Sequence, residues 1–182
     1  KIDLKIEDAI GRMWQCSTIQ LDFNLPERFG LEYVAADGSR QRPIMIHRAI
    51  FGSLERFYGI MTENYAGDFP FWLAPEQIRL LPVTDEVRPF AQELLNRLQQ
   101  AGVRAGLDRS GDRLGKLIRN GEQLKIPVLA VIGAKEADAG SVSLRSRRDG
   151  DLGTVPLETL LAASRRANQE RSAGLELGDG SA

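Results

Sequence analysis

The sequence predicts two successive domains: an antiparallel sheet that carries a helix, then an α/β domain with a mostly parallel sheet. Strand-like segments separated by turn residues fill residues 1–72, whereas short apolar strands alternate with helices in residues 73–168. Between these stretches, residues 66–75 contain two prolines and a glycine, a composition typical of a linker. The last segment, residues 169–182, ends in glycine, serine and acidic residues and is predicted to be a disordered tail.

Four strands and one helix are predicted in the first domain. Alternating polar and apolar residues place the strands at residues 1–6, 14–23, 31–35 and 42–46. The pair Asp37-Gly38 between two of these segments predicts a hairpin. Apolar residues then recur at helical spacing from Ile50 to Tyr65, which predicts a helix that follows His47.

The second domain is predicted to alternate between strands and helices. Short apolar segments predict strands at residues 78–83, 103–107, 128–132 and 141–144. Helical periodicity predicts helices at residues 87–101, 113–123 and 157–168. Gly102 is expected to end the first of these helices, because glycine tolerates the positive φ found there. Such alternation indicates a layered α/β fold.

The composition is that of a soluble cytoplasmic protein. The net charge is −1, and 42% of the residues are hydrophobic, which is enough for a packed core. Cys16 is the single cysteine, so no internal disulfide can form. No apolar run approaches the roughly 18 residues of a membrane span. The chain begins at Lys1 within an alternating segment, and we expect it to be part of a longer protein.

Charge is distributed unevenly along the chain. Residues 104–148 contain ten Lys and Arg and five Asp and Glu, an excess of five positive charges. A local basic excess can mark a surface that binds a phosphate backbone. It can equally be an ordinary solvated face, and charge alone does not decide between them.

Glycine is unusually placed in the predicted helix that follows His47. Gly52 and Gly59 would each cost up to about 1 kcal/mol inside it relative to alanine, which indicates close approach of a ligand or of another backbone segment. One turn beyond Gly52 lies Arg56, a residue type suited to stacking on a purine or binding phosphate. The alternative is an exposed pair between Glu55 and Arg56.

Four sequence motifs resemble a known family. They are MIHRAIFGSLERF at residues 45–57, WQCSTIQLDF at residues 14–23, LPERF at residues 25–29 and WLAP at residues 72–75. The first resembles the third signature motif of class II aminoacyl-tRNA synthetases, in the form found in the threonyl branch. The others resemble blocks of the same branch. The resemblance implies an α+β remainder of a class II catalytic domain in residues 1–72, followed by an anticodon-binding domain.

The resemblance also implies substrate-binding residues for ATP, with magnesium, and for threonine. The catalytic set is Lys1, Thr18 and Arg56, and the set that binds ATP and the amino acid is Gln15, Gln20, Ser53 and Arg56. Arg56 would stack on the adenine, an arrangement that suits a guanidinium group.

A zinc ion is the implied cofactor. His47 would be one of three protein ligands, and the family's other two ligands belong to segments that precede Lys1. Zinc with an open position can bind the amino and hydroxyl groups of threonine and so discriminate against valine. Cys16 is not expected to be a ligand, since the family's zinc cysteine lies in an earlier segment.

The second domain resembles the anticodon-binding domain shared by several class II enzymes. The matching blocks are residues 82–86, 114–115, 118–119, 125–127, 133–136 and 142–148. The resemblance implies that Glu136 and Arg145 contact anticodon bases and that Lys125 supplies a basic contact nearby. Ser110 and Gly111 depart from the family's pattern, which places contacts from that loop in question.

Two functions remain open at this point. The first is a threonine–tRNA ligase, of which this chain would hold less than half of the active site and which would be a homodimer at full length. The second is a non-enzymatic RNA-binding fragment that retains only anticodon recognition. The expected partners of the ligase are tRNA-Thr, ATP and threonine, with no membrane association.

Overall fold

The computed structural model describes residues 1–177, and the chain divides into two compact units. The first is Lys1–Ala66 and the second begins at Gly67. The division therefore falls six residues before the predicted boundary at residues 72 and 73. Phe69 and Phe71 explain the difference, because both are buried and Phe71 belongs to the hydrophobic core of the second unit.

The first unit is an antiparallel sheet with two helices, which confirms the predicted class. Within residues 1–66 its elements are β1 (Ile2–Glu7), β2 (Met13–Asp22), α1 (Asn24–Arg28), β3 (Tyr33–Val34), β4 (Arg40–Gln41), β5 (Met45–Ala49) and α2 (Leu54–Asn64). The sheet order is β1-β2-β5, and β3 pairs with β4 as the predicted hairpin. Gly38 adopts a φ of 78° in the hairpin turn.

The segment before α2 differs from the prediction. The strand expected at residues 42–46 is interrupted at Pro43, which has no backbone N–H to donate, and β5 then runs through His47 to Ala49. Gly52 lies before the helix rather than inside it, with a φ of 70°. A Cβ at Gly52 would lie 2.8 Å from the backbone oxygen of Cys16, so glycine permits the close approach of another backbone segment.

An irregularity in β2 determines which side chains share a face of the sheet. Leu4 pairs with Ser17 and Lys5 pairs with Gln15, which leaves Cys16 as the extra residue of a bulge. Because of this bulge, Gln15 and Thr18 lie on the same face although they are three residues apart.

The second unit is an α/β domain with a mixed sheet. Among residues 67–177 the strands are β6 (Ile78–Pro82), β7 (Ala105–Leu107), β8 (Val128–Ile132), β9 (Ser141–Ser146) and β10 (Gly150–Pro156), in the order β10-β9-β8-β6-β7. The strands β7, β6 and β8 are parallel, as predicted, whereas β9 and β10 add antiparallel pairs. The helices are α3 (Arg88–Gln100), α4 (Leu114–Gln123), α5 (Ala134–Asp138) and α6 (Leu157–Glu170). Neither α5 nor β10 was predicted from the sequence.

Helices cover both faces of this sheet. The larger core joins it to α3 and α6 through residues such as Leu94 and Leu160, and a smaller core joins its other face to α4 through Leu117 and Leu129. Among residues 1–177, no helix is both long enough and apolar enough to cross a membrane.

The predicted tail is ordered in the part that the structure describes. Helix α6 extends to Glu170, and Leu175 is buried in the larger core. The backbone N–H of Phe71 donates to the carbonyl of Ala173, which holds this segment against the domain. Apolar burial therefore overrides the prediction of disorder for residues 169–177, and the remainder of the predicted tail lies outside the described residues.

Candidate functional site

One face of the β1-β2-β5 sheet collects most of the predicted catalytic-domain residues. Cross-strand partners share a face, and the register pairs Asp3 with Thr18 and Gln20 with His47. Gln15 joins this face through the bulge at Cys16. The structure therefore brings together the predicted Lys1, Gln15, Thr18, Gln20 and His47.

Asp3 organises one end of this polar face. Its Oδ1 accepts hydrogen bonds from Gln15 Nε2 at 2.6 Å and Thr18 Oγ1 at 2.7 Å, and it lies 3.4 Å from Lys1 Nζ. The hydrogen bond from Thr18 and the charge of Lys1 outweigh partial burial and lower the pKa of Asp3. Asp3 was not predicted from the sequence, although its position two residues after Lys1 in an alternating strand places it on the same face.

Asp22 holds the imidazole of His47 at the other end of the face. Asp22 Oδ2 lies 2.8 Å from His47 Nε2, and its Oδ1 accepts hydrogen bonds from the backbone N–H groups of Asn24 and Leu25. The bond from Leu25 and then the contact with His47 lower the pKa of Asp22. An open cleft of about 740 Å³ begins beside Gln20 and Asp22.

This polar face does not carry a full set of metal ligands in residues 1–177. Nowhere in residues 1–177 do three or more His, Cys, Asp or Glu side chains cluster in a way that could hold a metal ion. His47 and its carboxylate partner Asp22 fit one ligand position of a zinc site, since ligating histidines usually donate their second ring nitrogen to a carboxylate. Cys16 is buried, at 3% exposure.

Arg56 lies over the indole of Trp14. The guanidinium carbon is 5.2 Å from the ring centroid, within the range of a cation–π contact. Ser53 is the N-cap of α2, and its Oγ accepts a hydrogen bond from the Arg56 N–H at 3.3 Å. Glu55 and Arg56 are both exposed, as the alternative expects, but Glu55 accepts a hydrogen bond from Ser53 Oγ at 2.8 Å and forms no ion pair with Arg56 in residues 1–177.

In the second unit, Glu136 is fixed by hydrogen bonds at the start of α5. Its carboxylate accepts from the Gly133 N–H and from Ser143 Oγ, each at 3.0 Å. The bond from its own backbone N–H and the bond from Ser143 lower the pKa of Glu136. Ser143 lies two residues before Arg145 on β9, so both side chains lie on the same face of the sheet.

Arg145 and Lys125 lie near the carboxyl end of α4. Arg145 Nε is 3.3 Å from Glu122 Oε1, and both side chains remain about half exposed. Lys125 follows α4 with a φ of 56°, and its backbone N–H donates to the Glu122 carbonyl. Arg145 and Lys125 therefore both lie near the end of α4. Glu136 accepts a hydrogen bond from Ser143, which lies on the same face of β9 as Arg145.

Part of the basic excess has a structural role. Arg104 donates to the carbonyls of Ala74 and Trp72, at 2.8 and 2.7 Å. Arg147 donates to the Glu122 carbonyl and to Asp68 Oδ1. These two arginines bind backbone and side-chain oxygens within the domain, so the count of basic residues overstates the charge available to a nucleic acid.

Known proteins resemble both units. Residues 1–65 match the family described as tRNA synthetase class II core domain (G, H, P, S and T), and residues 77–166 match the anticodon binding domain family. A threonine–tRNA ligase of Synechococcus sp. (strain CC9605) is 80% identical over 97% of this chain. The corresponding enzyme of Thermosynechococcus vestitus is 63% identical over 89% of the chain. The chain spans 29% and 27% of these two relatives, respectively.

A solved structure agrees with these matches. The RNA binding domain of threonyl-tRNA synthetase from Cryptosporidium parvum superposes with a TM-score of 0.82 and 34% identity, over 96% of this chain and 43% of that one. The chain belongs to the class II aminoacyl-tRNA synthetases. Within that class it is a member of the threonyl-tRNA synthetase family, of which it matches the carboxy-terminal part.

Proposed function

We propose that the protein is a threonine–tRNA ligase, which activates threonine with ATP and transfers it to tRNA-Thr. The observation that carries the proposal is the polar face formed by Gln15, Thr18, Gln20 and His47, on a class II core whose relatives carry that name. The chain spans 29% of the length of such a relative, so the proposal concerns the longer protein to which it corresponds.

Threonine would be bound on this polar face. Gln15 and Thr18 are held by Asp3, and His47 is held by Asp22, so their side chains are oriented before a substrate arrives. Orientation before binding reduces the entropy lost on binding. Amide and hydroxyl groups at these positions can form hydrogen bonds with the polar groups of an amino acid.

His47 would hold a zinc ion together with ligands from outside this chain. The chemistry that zinc supplies when bound is ligation of the threonine amino and hydroxyl groups, and valine has no hydroxyl to offer. Asp22 fixes the ring of His47 at 2.8 Å, which supports a role of this histidine as a positioned ligand.

ATP, with its magnesium ions, would be bound near the start of α2. Arg56 offers a guanidinium plane that can stack on adenine, and Ser53 fixes the first turn of the helix that carries it. The contribution of Arg56 is binding and orientation of the nucleotide. The negative charge that develops at the α-phosphate must be stabilised by further groups, and we do not propose that this chain supplies them.

The anticodon of tRNA-Thr would be bound by the second unit. Arg145 can donate to a base edge, and the carboxylate of Glu136 can accept from an exocyclic amine. Its lowered pKa keeps Glu136 ionised and therefore an acceptor at neutral pH. Lys125 would add a phosphate contact.

We further propose that the full-length protein is a cytoplasmic homodimer.

Threonine-dependent ATP–pyrophosphate exchange tests the proposal. A full-length protein that carries this chain should catalyse exchange with threonine and not with valine, and should charge tRNA-Thr. The Arg56→Ala variant should lose most of the exchange, and the 182-residue chain alone should show none. A full-length protein that binds tRNA-Thr but catalyses no exchange would instead support the alternative of a non-enzymatic RNA-binding protein.

A further inference from the structure

Trp14 connects a buried carboxylate to Arg56. The Trp14 indole Nε1 donates to Asp8 Oδ2 at 2.8 Å, and the Arg56 guanidinium lies over the same ring. Within residues 1–177 no carboxylate forms an ion pair with Arg56. The guanidinium group of Arg56 instead contacts the indole.

Asp8 fixes the plane of that indole. It is 6% exposed, and it accepts hydrogen bonds from the backbone N–H groups of Ile10 and Arg12, from Arg12 Nε and from Trp14 Nε1. Burial raises the pKa of Asp8, but these hydrogen bonds, led by the one from Trp14, outweigh it and lower the pKa. An ionised, fully bonded acceptor holds the ring N–H in one direction.

The backbone beneath Arg56 is also fixed. Ser53 caps the first turn of α2, and the preceding Gly52 lies so close to Cys16 that an added Cβ would be 2.8 Å from the Cys16 backbone oxygen. A long arginine side chain on this fixed backbone still has free rotations. The indole restricts those rotations by holding the guanidinium plane, which is the part that would stack on adenine.

We propose that Trp14 is a positioning residue for nucleotide recognition, which holds Arg56 in the orientation that stacks on the adenine of ATP, and that Asp8 keeps Trp14 in place. The inference rests on the proposed ligase function and adds to it residues that do not touch the substrate. Arg12 also lies over Trp14, at 5.4 Å, but it is bound to Asp8 and is not part of the proposed contact with ATP.

The test is nucleotide affinity in the full-length protein, measured as the ATP dissociation constant by equilibrium dialysis and as KM in the exchange reaction. Trp14→Ala should weaken ATP binding by roughly 3- to 30-fold, the range of a cation–π contact. KM for threonine should stay within about twofold, because the polar face is left intact. Trp14→Phe keeps a ring face but loses the N–H that Asp8 holds, so it should recover only part of the ATP affinity.

A matched control is available in the second unit. Trp72 also lies beneath an arginine, Arg171, at 5.8 Å, so Trp72→Ala removes the same kind of contact within the second unit. This variant should leave ATP affinity unchanged. Equal losses from Trp14→Ala and Trp72→Ala would overturn the inference.

A double-mutant cycle separates positioning from a general loss of structure. In an Arg56→Gln background, Trp14→Ala should change the ATP dissociation constant by less than about twofold. The same loss in both backgrounds would show that Trp14 does not act through Arg56. The cycle measures ATP binding, so it tests the inference even in a protein that binds ATP but shows no threonine-dependent exchange. Such a lack of exchange would overturn only the proposed ligase function.

Discussion

Replacement of Gly52 by alanine should destabilise the first unit strongly, whereas the same replacement at Gly59 should stabilise it. Gly52 has a φ of 70°, and a Cβ there would lie 2.8 Å from the backbone oxygen of Cys16. Gly59 lies within α2, and a Cβ there would meet nothing within 4 Å. Both substitutions add the same methyl group, but the two positions differ in backbone conformation and in the space around that group.

The magnitudes follow from these two geometries. A left-handed conformation costs alanine about 1–2 kcal/mol. Overpacking against a backbone atom, which cannot rotate away, adds about 1–3 kcal/mol. Gly52→Ala should therefore lower the free energy of unfolding by about 2–5 kcal/mol. Gly59→Ala should raise it by up to about 1 kcal/mol, the helix-propensity difference between the two residues.

The assay is equilibrium unfolding in denaturant followed by tryptophan fluorescence. The chain has two tryptophans, Trp14 in the first unit and Trp72 in the second, so a Trp72→Phe background makes the signal specific to the first unit. If Gly52→Ala were as stable as the parent chain, or if Gly59→Ala were the more damaging change, the role assigned to the close approach at Cys16 would be refuted.

Three further predictions concern metal, RNA and pH. In the full-length protein, His47→Ala should remove zinc as measured by metal analysis, and Asp22→Asn should weaken zinc affinity by roughly 10- to 100-fold; retained stoichiometric zinc in the first variant would contradict this. Arg145→Ala should cost about 1–3 kcal/mol in binding tRNA-Thr and should reduce discrimination against an anticodon-altered tRNA, whereas Lys125→Ala should weaken both tRNAs evenly and flatten the salt dependence. Equal weakening of both tRNAs by Arg145→Ala would contradict base reading. Since the pKa of Asp8 is lowered in the folded state, the unfolded chain binds protons first on acidification, so the free energy of unfolding should fall as the pH drops below about 4, and Asp8→Asn should reduce that dependence.

The strand periodicity of the first unit could be predicted, but the bulge could not. Alternation in residues 14–23 predicts a strand, and the structure has β2 over Met13–Asp22. A strict period of two would place Gln15 and Thr18 on opposite faces. They share a face because Cys16 is left unpaired opposite β1, and this depends on the partner strand rather than on local sequence.

In the second unit, elements defined by long-range pairing escaped prediction. Residues 150–156 contain Gly150 and Gly153, whose φ values are 79° and 77°, and glycine is depleted in strands. They form β10 because the antiparallel pairing with β9 supplies their hydrogen bonds. Helix α5 has only five residues, too few for helical periodicity to appear. The longer helices α3 and α6 were predicted to within a few residues because their apolar stripes extend over three turns or more.

In the first unit, three acidic residues hold the side chains that are proposed to face substrates. Asp3 holds Gln15 and Thr18, Asp22 holds His47, and Asp8 reaches Arg56 through an indole. Each of these carboxylates has a lowered pKa because its hydrogen bonds and nearby charges favour the ionised form. Resemblance to a family indicates which groups are proposed to face the ligand, whereas the supporting acids are identified by the hydrogen bonds that their oxygen atoms accept. Because each acid remains ionised at neutral pH, its donors stay bonded and oriented. Conversion of any one of the three to asparagine should therefore disturb only the residues that this acid holds and leave those held by the other two acids in place.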